Sequence, residues 1–409
     1  MNSFETALSE ATNSREVLGA IGLVVDRNGG TLYSHASGVQ SLSPSAPPTS
    51  VDHTITLGSA GKFITHIVAL QCVDRNMLSL DEPVGKWLPE LDSLPVIEPS
   101  SEAETGFVLR PPTVKITLRH LLTHTSGIGG SDEPLVEKWR ASPAGAAHAA
   151  SVADAHVIVK LFAHPLLFEP GTRYSWGSSV YFTQLLVSRL TDQRLGEYVQ
   201  ANIFAPLGMA NSTFMPQERA DVREKLLQMM ERIPDGSLIP FDQETRDVSV
   251  SVRDFAALFA DLIAPTSKIL RKESVNLLFA PQFEKGSRAL ADLRGEKEGE
   301  VYPVPSQLPD PVEVDGVPTL PVWVLEGKGL ALNWTLAGLL VEGTHGLPLG
   351  MPQGTVTWNG MPNVVWAMHR ERGVAMLFAT QLIPVDDEKV VKLQLEFFKG
   401  AWATYGLNA

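Results

Sequence analysis

A single cysteine, Cys72, stands in 409 residues, so no internal disulfide framework can form. It falls in an apolar run after Lys62, where a buried structural thiol is expected. No apolar run approaches the ~20 residues that span a bilayer. The opening residues, Met1-Asn2-Ser3-Phe4-Glu5-Thr6, carry neither the basic region nor the apolar core of a secretory signal. Basic charge is scarce: 33 Lys and Arg against 46 Asp and Glu leave a formal charge of −13. That excess argues against a nucleic-acid partner. Charged residues reach only 19% and hydrophobic ones 44%, which is globular rather than disordered composition. The expectation is a soluble cytoplasmic protein with no membrane or nucleic-acid partner, its oligomeric state open. The length exceeds one ordinary core and predicts two domains or one large composite domain.

The pattern along the chain starts with a polar amphipathic helix over residues 1–15. Short apolar runs at 20–25 and 31–36 flank Asp26-Arg27-Asn28-Gly29-Gly30 and predict a hairpin. Helices are predicted from Ser59 to about 76, then over 116–124, 179–190, 196–204 and 252–263. The last is opened by Ser251 and closed before Pro265. Residues 284–322 are charged, then proline-rich, and predict long irregular loops. Strand-like runs follow at 330–336, 355–359, 364–369 and 374–380, then a helix over 386–405. Strands from both ends with helices between predict an α+β fold, one antiparallel sheet carrying a helical insertion. The expected division is a sheet domain from 1–75 and 320–409, with 76–319 inserted.

Ser59-Ala60-Gly61-Lys62 carries the chemistry. A serine and a lysine three apart share one helix face, one turn apart. That sets an amine beside a hydroxyl that is otherwise a weak nucleophile. The first turn also exposes unpaired N–H groups, which favour a neutral amine and a developing oxyanion. On spacing alone, such a serine reads as an N-cap; the segments on either side decide otherwise.

Those segments are Leu57-Gly58-Ser59-Ala60-Gly61-Lys62, Asp74 to Val84, and Ile116-Thr117-Leu118-Arg119-His120-Leu121-Leu122-Thr123-His124-Thr125-Ser126-Gly127. Further on come Glu169-Pro170-Gly171-Thr172, Pro206-Leu207-Gly208-Met209, Trp358 to Asn363 and Phe378-Ala379-Thr380-Gln381. In this order they resemble the serine β-lactamase and penicillin-binding-protein superfamily, nearest its class C-like esterases and fungal polyketide acyltransferases. The resemblance implies Ser59 as nucleophile and Lys62 as its base, with no metal and no cofactor. A lysine of ordinary pKa near ~10.4 is protonated at neutral pH, so burial or a nearby cation must lower it. The family's third motif corresponds to Trp358-Asn359-Gly360, expected on an edge strand, where glycine admits a substrate carbonyl. By the same resemblance the N–H groups of Ser59 and Met361 form the oxyanion hole.

One position departs from the family. Its proton-shuttling tyrosine stands six residues after the proline of Pro-Gly-Thr, and here that position is Trp176. An indole donates one hydrogen bond and cannot accept a proton. Tyr174, two residues earlier, substitutes only if the loop is re-registered; otherwise it fills an aromatic packing position. Three outcomes stay open: Lys62 alone activates Ser59, the pocket performs non-covalent lyase, isomerase or cyclase chemistry, or the chain is silent.

The remaining candidates are weaker. His120 and His124 read as structural histidines, His66 as a helix-packing residue, and His369 as exposed beside its turn. His345, in Gly343-Thr344-His345-Gly346, is placed at the pocket border. Trp358 and Trp176 are expected to wall an apolar cleft, with Trp323, Trp334 and Trp366 as packing. The charge run 288–300 reads as a solvated loop. The functional expectation is serine-dependent acyl transfer or ester hydrolysis on a small apolar metabolite, the donor an ester or acyl thioester.

Overall fold

A computed structural model describes residues 1–130, 133–241, 248–295, 331–343 and 350–406, with the backbone of 312–314 and 317–319. The elements that matter below run in chain order. They are α1 (Asn2–Asn13), β1 (Gly19–Asp26), β2 (Thr31–Gly38), β3 (Thr54–Thr56) and α2 (Lys62–Asp74). Then come α3 (Leu118–Leu122), α4 (Ser179–Thr191), β4 (Ser249–Ser251), α5 (Val252–Ile263) and α6 (Arg288–Arg294). Strands β5 (Leu332–Trp334), β6 (Leu339–Val341), β7 (Val356–Gly360), β8 (Val364–His369) and β9 (Val374–Thr380) follow, and α7 (Glu388–Tyr405) closes the fold. No helix among the described residues is long and apolar enough to cross a membrane.

The chain forms two compact units. The first takes residues 1–63, 196–280 and the described part of 301–409. Its centre is an antiparallel sheet in the order β5-β6-β7-β8-β9-β1-β2. Strand β1 enters between β9 and β2, with Gly22 opposite both Phe378 and His35. Strands β8 and β9 are buried along their whole length, as expected of strands covered on both faces. On one face Gly22 has no side chain because Phe397 of α7 lies there; an added Cβ would sit 2.7 Å from its ring. Phe4 of α1 joins that cluster at 5.2 Å from Phe397. The other face meets α5, where Phe255 and Phe259 pack with Phe63 and Trp366. Helix α5 starts where its cap dictates, Ser251 Oγ accepting from Asp254 N at 3.1 Å.

The second unit takes residues 64–195 and the described part of 281–300. In it α3 packs against α4. Helix α3 opens with a reciprocal cap between Thr117 and His120. Its shape corrects the expected solvated loop at 288–300: Arg288–Arg294 is helix α6, capped by Ser287. Ala289, Leu290 and Leu293 are buried. The Asp292 side chain is also buried, and takes ion pairs from Arg173 at 2.9 Å and Arg288 at 3.0 Å. Alternating charge concealed an amphipathic turn whose acid points inward. Residues 296–300 lie outside the described residues.

Candidate active site

In the first unit the Ser59 segment leaves β3 and makes one tight turn. Gly58 adopts φ +56°, a left-handed conformation that glycine takes without strain. Residues Gly58–Gly61 form a 3-10 turn, and the α-helix begins only at Lys62. In a 3-10 turn, residues three apart eclipse more closely than on an α-helix. Lys62 Nζ accordingly donates to Ser59 Oγ at 2.7 Å, with both residues half-buried. The hydroxyl and the amine are within proton-transfer distance.

Strand β7 brings the third motif to this turn. An added Cβ on Gly360 would lie 1.9 Å from Leu57 O and 3.0 Å from Ala60 N, so only glycine permits the approach. The strand is not an edge strand, which corrects the sequence expectation. It pairs with β8 along its length and with β6 through Val356 and Thr357. Trp358, Asn359 and Gly360 lie beyond the two residues that pair with β6. Met361 follows in a turn closed by Asn363 N donating to Gly360 O at 2.9 Å. A Cβ on Gly58 would stand 3.1 Å from Met361 N, which sets the Ser59 turn against the Met361 amide. The Met361 side chain is 41% exposed. Trp358 is buried and meets Trp334 edge-on, ring centroids 5.0 Å apart. Opposite it across the ladder is Trp366, whose indole N–H donates to Ala60 O at 3.1 Å.

In the second unit Trp176 packs tilted against His124, centroids 4.3 Å apart at 37°. His124 is buried with φ +56° and also meets the edge of Tyr174 at 6.1 Å. Tyr174 is buried and contacts Phe283. Its amide donates to Asp292 at 3.3 Å, so its loop is tied to α6. His66 lies 6.4 Å from His124. His120 serves its cap, and burial pushes its imidazole below the ordinary pKa. Gly177 packs against backbone; a Cβ would lie 2.5 Å from Ile128 O.

His369 is 4% exposed, not solvent-facing: Nε2 hydrogen-bonds Gln353 O at 2.9 Å, and burial lowers its pKa. The polar turn 370–373 suggested exposure, but the ring itself turns inward to Trp402. His345 and Trp323 lie outside the described residues. Two buried amides, Asn363 and Gln381, went unassigned in the sequence although both fall in family-like segments. Their hydrogen bonds reach backbone far away in the chain, which no local pattern announces.

The sequence matches the β-lactamase family over residues 4–396. It is 30% identical to the acyltransferase calJ of Penicillium decumbens, over 99% of each chain. It is 28% identical to a lovastatin esterase of Penicillium rubens, over 98% of each. The structure of simvastatin synthase (LovD) from Aspergillus terreus superposes with a TM-score of 0.84 at 28% identity, covering 99% of this chain and 98% of that one. The chain belongs to the β-lactamase family and is a serine hydrolase or acyltransferase of that fold.

Proposed function

We propose that Ser59 carries an acyl group between a small apolar donor and an acceptor alcohol or water. The 2.7 Å contact between Lys62 Nζ and Ser59 Oγ carries this reading. In the first half-reaction an uncharged Lys62 takes the Ser59 proton as Oγ bonds to the donor carbonyl carbon. The tetrahedral oxyanion accepts hydrogen bonds from the Ser59 and Met361 amides. It then collapses, the carbonyl carbon parts from its ester oxygen or thioester sulfur, and Lys62 returns the proton to that leaving group. In the second half the acceptor hydroxyl gives its proton to Lys62 and attacks the acyl-enzyme, and Ser59 leaves with the proton restored. With an indole at the family's tyrosine position, Lys62 handles both transfers.

An acyltransferase and an esterase among the relatives support both acceptors. One relative is named for lovastatin and one for simvastatin. For this chain we infer a small apolar secondary-metabolite ester as substrate, the acyl donor an ester or thioester, and no metal or bound cofactor. The exposed Met361 side chain beside the motif supports an apolar ligand. The lone cysteine, buried and free, suits a cytoplasmic setting.

The test uses p-nitrophenyl hexanoate. A burst of one nitrophenolate per chain is expected, with a hexanoyl adduct mapped to Ser59 by mass spectrometry. Ser59→Ala should abolish both. Retention of turnover by Ser59→Ala, or an adduct elsewhere, overturns the reading.

A further inference from the structure

The two amides assigned to the oxyanion hole come from segments 302 residues apart in sequence, 361 minus 59. Oxyanion donors act at 2.7–3.1 Å, so their mutual spacing has to be held. Two buried side-chain amides grip the two segments. Gln381 Oε1 accepts from Thr56 N at 2.9 Å, and its Nε2 donates to Thr56 O at 3.1 Å. Thr56 is the last residue of β3, three before Ser59. Asn363 sits two after Met361, at φ +60°. Its Nδ2 donates to Leu382 O at 2.7 Å and Pro384 O at 2.8 Å, and its Oδ1 accepts from Asp386 N at 2.9 Å. Each of the two residues is 2% exposed.

Both grips end on one stretch of chain. Gln381 also donates to Thr380 O at 2.8 Å, and the next residue, Leu382, takes Asn363. Leu382 N returns to Pro362 O at 3.4 Å. The segment after β9 thus ties the entry to Ser59 to the exit from Met361. Trp366 braces the far side of the serine turn through Ala60 O.

We propose that Gln381 and Asn363 are positioning residues that fix the distance between the Ser59 and Met361 N–H groups. The inference rests on the acyl-transfer reading above. A residue that only stabilises the fold changes the folded fraction and leaves each folded molecule equally active. A positioning residue changes kcat and the binding of a tetrahedral adduct together, while KM stays put.

The decisive variants are Gln381→Glu, which turns a donor into an acceptor against Thr56 O, and Asn363→Gly, which suits φ +60° and removes the side chain. Each should lower kcat for p-nitrophenyl hexanoate about 10- to 100-fold, in line with sub-ångström to ångström misplacement, with KM within about twofold. The inhibition constant of hexylboronic acid, whose adduct on serine places an oxygen in the hole, should rise by the same factor as kcat/KM falls. If Gln381→Glu does not fold, Asn363→Gly decides. Unchanged kcat and boronate affinity in a folded variant overturn the inference. Ser59→Ala separates the two levels: activity without Ser59 sinks the acyl-enzyme reading, whereas a dead Ser59→Ala beside a fully active Asn363→Gly sinks only the positioning role.

Discussion

At the scale of single residues, the proposed mechanism asks Lys62 alone to do what the family resemblance divides between a lysine and a tyrosine. Lys62 Nζ lies 2.7 Å from Ser59 Oγ, and the Trp176 indole cannot take a proton. Replacing Lys62 with Met keeps length and removes the base; general base catalysis is worth about 10²–10⁴-fold, so kcat for the hexanoate ester should fall at least about 100-fold with KM little changed. Steady-state kinetics on the folded variant check this, and a fall under tenfold counts against Lys62. Trp176→Tyr runs the other way. A phenol restores a group that donates and accepts, so ester hydrolysis should rise; an unchanged or lower rate removes position 176 from the proton path. The Ser59–Lys62 contact was legible from a separation of three read together with the family-like segments on either side, since the spacing alone reads as an N-cap. Gln381 was not: its partner Thr56 lies 325 residues away, and a buried amide leaves no periodic trace.

At the scale of elements, apolar runs and caps are legible directly, whereas charge placement hid a helix. The strands at 364–369 and 374–380 and the helix 252–263 match the sequence reading, since apolar runs and a serine cap mark them directly. Helix α6 was hidden because Arg288, Asp292 and Arg294 read as solvated. The buried member of that set makes a sharp test. Asp292→Ala removes the acceptor that Arg173 and Arg288 share; a hydrogen bond to a charged group is worth about 1.5–3 kcal/mol, and the Asp292 side chain is 5% exposed against 21% and 36% for the two arginines. Denaturant unfolding should show a loss of that order, and a loss below about 1 kcal/mol would place Asp292 among surface pairs. Gly360→Ala probes the opposite link, from packing to catalysis. Its methyl would meet Leu57 O at 1.9 Å, so β7 or the serine turn must move. Activity should drop about 100-fold or more, while the sheet's far-UV circular dichroism persists. Full activity in this variant would show that the strand end does not set the site.

At the scale of the whole molecule, the acid limb of stability follows from groups held away from their ordinary pKa. Burial pushes the imidazoles of His120, His164 and His369 down. The unfolded chain therefore takes up those protons first as pH falls through about 6.5, and stability present above that pH begins to be lost. Glu169 adds a second stage. Burial pushes its carboxyl up, but Arg110 and the N–H groups of Val114 and Thr113 outweigh it and hold it at about 2. Arg110 Nη1 lies 2.6 Å away and Val114 N 2.7 Å away. The folded pKa is below the unfolded one of about 4.3, so the unfolded state binds more protons between them. The Glu169 contribution is whole above about 4.3 and drains away as pH falls toward 2. Thermal unfolding followed by circular dichroism from pH 8 to 3 should thus show Tm declining below about 6.5 and steeply below about 4.3. Glu169→Gln lacks the charge, so its Tm should sit lower at neutral pH and converge on wild type in acid. Asp52, Asp81 and Glu90, whose carboxyls are held down by Arg253, Arg119 and Arg189, titrate in both proteins and cancel in the comparison. Parallel curves for the two proteins below pH 4.3 would mean that Glu169 is not held by its partners, and that the Glu169-Pro170-Gly171-Thr172 segment owes its place to packing alone.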